Sequence, residues 1–220
     1  EIGPDLLFIH GNHLAAEELQ MIMDAGASIS SAIEIEMTYG AYPVVDRFTA
    51  MGGQSSLGID ATIDFGGDMF GQMRALLKVW RLERSLKNPR KMTRKVHQKK
   101  VLEIATVRAA EAIGPGGITG SLAEGKKADL LLLRTDALGL APMWDPYAAI
   151  VSYGQSSLVD TVMVDGRVVK RHGRLVGIDW PTVRAALERS KDNIRRRFSL
   201  IPGQPIRARW AQGFRIEVTD

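Results

Sequence analysis

Ser55-Ser56-Leu57-Gly58-Ile59-Asp60 reads as a short apolar strand that ends on a carboxylate. A barrel of alternating strands and helices builds its active site from such strand ends, at the C-terminal rim of the sheet. Asp60 is therefore a candidate for chemistry. An Asp just after a strand also suits a turn or a helix cap, because its side chain accepts hydrogen bonds from nearby backbone amides. What decides between these roles is what the other strands bring to the same rim.

Upstream, Leu6-Leu7-Phe8-Ile9 is wholly apolar, as buried parallel strands are, and His10 follows it directly. Glu17 to Ala25 spaces Leu19, Ile22 and Met23 for a helix, with Gly26 placed to end it. Ala27-Ser28-Ile29-Ser30 is a further strand candidate, leading into a loop through Tyr39-Gly40-Ala41-Tyr42-Pro43. Val44 to Met51 reads as a short helix stopped by Gly52-Gly53, before the strand that ends on Asp60. Strands alternating with helices in this way predict right-handed crossovers and a parallel sheet.

Downstream, Asp68 can cap a helix carrying Met69, Phe70, Met73, Leu76, Leu77 and Trp80 on one face, a stripe that reads as core. Asn88-Pro89 breaks the pattern. Helix resumes from Thr93 to Ala105, and Thr106 is placed to cap a further turn and a half ending at Gly114. From Gly116 the grammar changes to short strand candidates: Ile118 to Leu122, Ala128 to Leu133, Val159 to Val164, Arg167 to Lys170 and Arg174 to Val176. Asp165-Gly166 and His172-Gly173 are hairpin turns by their composition, so this region is expected to be antiparallel. A last amphipathic helix has Trp180-Pro181 near its start and Val183, Leu187, Ile194 and Phe198 along it. The tail from Ile201 to Asp220 gives no packing signal.

The 220 residues are 45% hydrophobic, enough for one large or two small cored domains. No apolar run is long enough for a membrane span, and no secretory signal is visible, so no membrane partner is expected. With no Cys there is neither a disulfide nor a thiolate metal site, which fits a cytoplasmic location. The net charge of +4 collects at Lys87 to Lys100 and Arg195-Arg196-Arg197, on helices and without interleaved aromatics. These read as solvated helix faces, and no nucleic-acid partner is expected.

Two histidines, His10 and His13, stand at and just beyond the first strand's end, in Phe8-Ile9-His10-Gly11-Asn12-His13. A His there can be a metal ligand, a general acid or base, or simply a satisfied polar group. If His10 and Asp60 end strands of one parallel barrel, their side chains converge on one rim.

Four stretches together resemble the C-terminal half of the metal-dependent amidohydrolase superfamily. They are Ile9-His10-Gly11-Asn12-His13-Leu14, Leu57-Gly58-Ile59-Asp60, the run from Asp68 to Arg74, and Gly120 to Leu130. The branch they resemble holds the cytosine deaminases, S-adenosylhomocysteine deaminases and triazine chlorohydrolases, and the likeness runs over about residues 5 to 180. Its most specific part pairs Gly120 to Leu130 with Val162 to Val169, which is similar to the small β-sandwich beside the barrel in those enzymes. The resemblance implies an α/β fold: the C-terminal part of a (β/α)8 TIM barrel, strands six to eight, over residues 1–114. A β-sandwich segment over 115–178 and a C-terminal helix and tail over 179–220 would follow.

It also implies roles. His10 matches the His that ends the sixth strand and hydrogen-bonds the metal-bound hydroxide or the substrate. Asp60 matches the carboxylate that ends the eighth strand, binds the metal and shuttles a proton to the leaving group. His13 matches a second His of that motif and is placed with the substrate. The cofactor implied is one divalent metal, Zn²⁺ or Fe²⁺, whose bound water becomes a nucleophile near neutral pH.

Two departures limit the match. The family's His-x-His after strand one, its strand-five His and its catalytic Glu have no counterpart here. A whole barrel and a sandwich do not fit in 220 residues, so the chain reads as a fragment that does not bind the metal or turn over substrate alone. The loop after the seventh strand reads Ser31-Ala32-Ile33-Glu34-Ile35-Glu36-Met37, lacking the relatives' Asn-Pro and Ser-Asn pattern. Glu34 and Glu36 there are candidates for binding a basic or amine-bearing substrate, or are solvated loop carboxylates. The expected activity is hydrolysis of a C–N bond in a cyclic or heteroaromatic small molecule. The rival is a non-catalytic fold relative or assembly module that has lost the metal site. A partial barrel leaves sheet edges bare, so the strand Leu6 to Ile9 is expected to pair with a missing N-terminal half, another protein chain, or a second copy in a homo-oligomer.

Overall fold

The computed structural model describes residues 1–62, 66–87, 98–114 and 116–201. Leu7–Ile9 (β1), Ser28–Ser31 (β2) and Gln54–Leu57 (β3) form a parallel sheet in the order β1-β2-β3, with Leu7 opposite Ser28 and Ser28 opposite Gln54. Helices make both crossovers. Ala16–Asp24 (α1) joins β1 to β2, and Ile33–Thr38 (α2) with Val44–Met51 (α3) joins β2 to β3. Each helix has a local cause. At the start of α1 the Glu18 carboxylate accepts the Ala15 amide at 2.7 Å, and Gly26 ends the segment in the left-handed region at φ 72°.

The segment Ser31 to Met37 is not the loop expected from sequence. Its residues from Ile33 onward form α2, with Ile33 and Ile35 buried. Apolar residues at every second position resemble a strand or loop in sequence, yet a short helix between two packed layers buries both.

Two apolar clusters lie against this sheet. One joins Leu19, Ile22, Ala27, Ile29, Val44 and Phe48. The other joins Ile33, Val45 and Leu57 to Phe70, Met73, Leu76, Leu77 and Trp80 of Met69–Lys87 (α4), and to Val101 and Ile104 of Gln98–Ala105 (α5). The expected α4 stripe is thus core, and Asp68 accepts the Gly71 amide at 3.0 Å as a cap does. Thr93 to His97 and Asn88-Pro89 lie outside the described residues. Thr106 precedes Val107–Ala112 (α6) without capping it, because its hydroxyl donates back to the Leu102 carbonyl at 2.7 Å.

Leu130–Leu133 (β4), Val159–Val164 (β5), Arg167–Arg171 (β6) and Arg174–Leu175 (β7) form an antiparallel sheet in chain order. Both hairpins turn where expected, with positive φ at Asp165 and Gly166 and at His172 and Gly173. The expected antiparallel pairing is therefore present among the described residues as one four-stranded sheet. Ile118 to Leu122 is not a strand. It is held in turns by Thr119, which donates to Asp129 at 2.7 Å, and by Lys126, which donates to the Gly116 and Thr119 carbonyls. Pro146–Ala148 (α7), capped by Asp145, leads through a wider helical turn to Gly154, and Val151 and Val159 join the second cluster. All of this belongs to one unit, Glu1–Val176. A second unit from Gly177 contains Trp180–Phe198 (α8), with proline in its first turn as expected. Residues 202–220 of the tail lie outside the described residues, as does most of the basic run from Lys87 to Lys100.

Candidate functional site

His10 and Asp60 follow β1 and β3, the two outer strands of the parallel sheet. The sheet hydrogen bonds run one residue past each strand: the His10 amide donates to Ser30 O at 2.8 Å, and the Gly58 amide to Ser31 O at 2.9 Å. The strand expected to end on Asp60 ends at Leu57, and Asp60 lies three residues beyond it. His10 (φ 66°) and Asp60 (φ 63°) then take left-handed backbone conformations. Only glycine adopts these freely, so both residues hold strain of about 1 kcal/mol. The strain has a product: His10 Nε2 comes within 3.0 Å of Asp60 Oδ2, bridging the width of the central strand.

The other ring nitrogen faces a second carboxylate. His10 Nδ1 lies 2.8 Å from Glu36 Oε1, which also accepts the Ala32 amide at 3.0 Å. The Glu36 side chain is 2% exposed, and its Oε2 has no hydrogen bond of normal geometry among the described residues. Burial pushes the Glu36 carboxyl above the usual carboxylate range, and the hydrogen bonds from His10 and the Ala32 amide pull it part of the way back.

These residues open onto a cleft of about 680 Å³ lined by His10, His13, Glu36 and Asp60, with Leu14, Ile35 and Tyr39 among its apolar contacts. His13 has no hydrogen bond or ion pair among the described residues. Glu34 is not in this cleft. Residues two apart on a helix point to different faces. Glu34 Oε2 accepts from Gln72 Nε2 at 3.0 Å, and the Glu34 amide donates to Gln72 Oε1 at 3.2 Å. It borders a separate hollow with Arg74 and Lys78. Burial, then the charge of Asp68, raise its carboxyl, while Arg74 and Lys78 oppose the rise. Gln72, fully buried, is a polar partner that the α4 stripe does not reveal, since it sits beside Phe70 and Met73 in an apolar pattern.

Residues 3–169 match the amidohydrolase family. The chain belongs to that family. Over 180 residues it is 28% identical to a 5'-deoxyadenosine deaminase from Methanosarcina mazei, covering 80% of this chain and 40% of that one. Over 83 residues it is 45% identical to a 5-methylthioadenosine/S-adenosylhomocysteine deaminase from Acetivibrio thermocellus, covering 38% and 19%. Among solved structures, an adenosine deaminase from Xanthomonas campestris with bound zinc superposes with a TM-score of 0.80 at 20% identity, covering 88% of this chain and 43% of that one. At that identity the likeness shows the fold alone: a mixed α/β architecture of the amidohydrolase, TIM-barrel type. The chain spans about 40% of the length of the longest-matching of these curated relatives.

As a member of a family with zinc-bound relatives, the chain can be tested for a metal by its donors. Among the described residues no three His, Asp or Glu groups stand together to hold one. His10 has both ring nitrogens committed to carboxylates, so among the described residues Asp60 and the unpaired His13 are left as donors in this cleft, fewer than a metal site needs. These residues do not make a metal site by themselves. What they do make is an imidazole held between two carboxylates, an arrangement that can hold a proton and pass it on.

Proposed function

We propose that these residues are the C-terminal part of a metal-dependent amidohydrolase that removes an exocyclic amino group from a heteroaromatic small molecule. The observation that carries the reading is the convergence of His10 Nε2 and Asp60 Oδ2 at 3.0 Å, from strained residues after two non-adjacent strands, on one cleft. The cleft has the size of a small-molecule site. Relatives named as 5'-deoxyadenosine deaminase and 8-oxoguanine deaminase point to an aminopurine.

A divalent metal, with Asp60 as one of its ligands, would supply Lewis-acid activation of water. The remaining ligands would come from outside these residues. As the water oxygen bonds to the ring carbon bearing the amino group, Asp60 takes its proton. His10 holds the developing oxygen by a hydrogen bond. That proton then goes to the amino nitrogen and the second water proton to the adjacent ring nitrogen, the C–N bond breaks, ammonia leaves, and the ring carbon keeps a carbonyl. His13 and Tyr39 wall the cleft where the ring would lie. Glu34, in its separate hollow, has no part in this scheme.

The second reading, a fold relative without catalysis, is favoured by the short donor set. Ammonia release from 5'-deoxyadenosine separates the two. The zinc-loaded holoenzyme containing these residues is expected to release ammonia, and the 220 residues alone are expected not to. Turnover by the 220 residues alone would contradict the fragment reading, and no turnover by the holoenzyme would favour the second. β1 is an edge strand, and its last residue, Ile9, is exposed. We place its pairing partner on another segment or another copy, a contact that cross-linking through Cys introduced at Leu7 would detect.

A further inference from the structure

We infer that Glu36 is a positioning residue that fixes which nitrogen of His10 faces the reacting centre, rather than a group that binds substrate. The inference rests on the catalytic reading of the cleft. It deepens that reading by assigning Glu36 to the histidine.

Three observations support it. The Glu36 carboxylate is almost wholly out of solvent, and its Oε1 is already shared between His10 Nδ1 and the Ala32 amide. A group so placed has little left to offer a ligand in the cleft. Second, the ring of His10 is fixed from both sides, with Glu36 at Nδ1 and Asp60 at Nε2. Both carboxylates can accept a ring proton, but Glu36 is buried while the Asp60 side chain is 39% exposed at the cleft, so the Nδ1 proton is the fixed one and Nε2 is the nitrogen that exchanges a proton with Asp60 or the substrate.

Third, the arrangement is poor as a stabilising device. Glu36 is buried, its Oε2 has no hydrogen bond of normal geometry among the described residues, and a neutral or apolar side chain of the same length would fill this space at lower cost. Two positions earlier, Glu34 shows what a structural role looks like: a reciprocal pair with Gln72, away from the cleft. Glu36 also stands on a short helix, α2, anchored by buried Ile33 and Ile35. That anchorage holds the carboxylate still against the ring.

The test is the proton position on His10, read by long-range ¹H–¹⁵N correlation in protein labelled at histidine, with the signal assigned by its loss in His10→Asn. Wild type is expected to carry a proton on Nδ1. Glu36→Gln keeps an acceptor and is expected to keep that proton in place. Glu36→Met fills the same space without an acceptor and is expected to move the proton to Nε2, where Asp60 still accepts it, with unchanged far-ultraviolet circular dichroism. An unchanged His10 signature in Glu36→Met overturns the inference.

In the holoenzyme, Glu36→Met is expected to lower kcat about 10- to 100-fold with KM little altered, the effect of losing a hydrogen-bonded supporting group. A raised KM with kcat intact would instead make Glu36 a substrate-binding residue and overturn the inference. If the tautomer follows Glu36 while wild-type holoenzyme turns over no aminopurine, the positioning stands and the catalytic reading fails. If Glu36→Met does not fold, Glu36→Leu is read in the same way, and an unchanged His10 signature in it overturns the inference just as directly.

Discussion

The two sheets of this molecule assign burial in opposite ways. In the parallel sheet, β2 and β3 are largely serine, yet Ser28, Ser30, Ser31, Ser55 and Ser56 are all buried. In the antiparallel sheet, β4 is four leucines, yet Leu131 and Leu132 are each 55% exposed. Position decides this, and hydrophobicity does not. The parallel strands lie among helix-borne clusters, where small side chains let the layers approach and a hydroxyl can find a partner, as Thr49 Oγ1 finds Ser55 Oγ at 2.9 Å. In the antiparallel sheet β4 leaves Leu131 and Leu132 open to solvent, while β5 turns Val159 and Thr161 inward. The candidate site follows the first pattern: its polar groups stand where the buried, polar sheet ends.

The comparison breaks most readily at Phe48. This ring is fully buried against the parallel sheet, and Phe48→Ala is expected to lose about 3–5 kcal/mol in denaturant unfolding. Leu131→Ala, on the exposed sheet, should lose well under half of that. Equal losses would erase the distinction between the sheets. Next in size is Gly53→Ala, because a Cβ there would sit 2.5 Å from the Phe48 ring; a loss of about 1–3 kcal/mol is expected. Ser55→Ala removes the bond with Thr49 and should cost about 1 kcal/mol. Ser31→Ala, whose hydroxyl has no partner among the described residues, should be neutral or stabilising.

A pH-dependent effect is expected where α3 approaches α4. Burial first, and then the neighbouring Glu83, push Asp46 up to about 7 from the ordinary 3.8. Folded protein therefore holds the Asp46 proton more tightly than unfolded protein does. Its contribution is complete below about 3.8 and is lost as pH rises through about 7. Asp46→Asn cannot ionise, so its melting temperature relative to wild type should rise from pH 4 to pH 8. A constant difference across that range would contradict the assignment.

Much of this was legible in sequence. Apolar runs and turn glycines place β1, α1, α3, α4 and both hairpins, because local periodicity and positive-φ turns are properties of short stretches. Glu36 was legible as a candidate but its pairing was not, since its partner His10 lies 26 residues earlier in the chain. The same holds for Gln72, whose partner Glu34 is 38 residues away. Ile118 to Leu122 has strand composition, yet Thr119 and Lys126 bind turns instead. The convergence of His10 and Asp60 was foreseeable from the rim of a parallel sheet. The left-handed backbone that achieves it was not.

The most direct test of the central claim is ammonia release by the zinc-loaded holoenzyme carrying Asp60→Asn, with 5'-deoxyadenosine as substrate. The account predicts loss of at least about 10²-fold in kcat, the scale of a removed acid–base group, with the melting temperature nearly unchanged. Turnover at the wild-type rate would return Asp60 to a purely structural role and contradict the account.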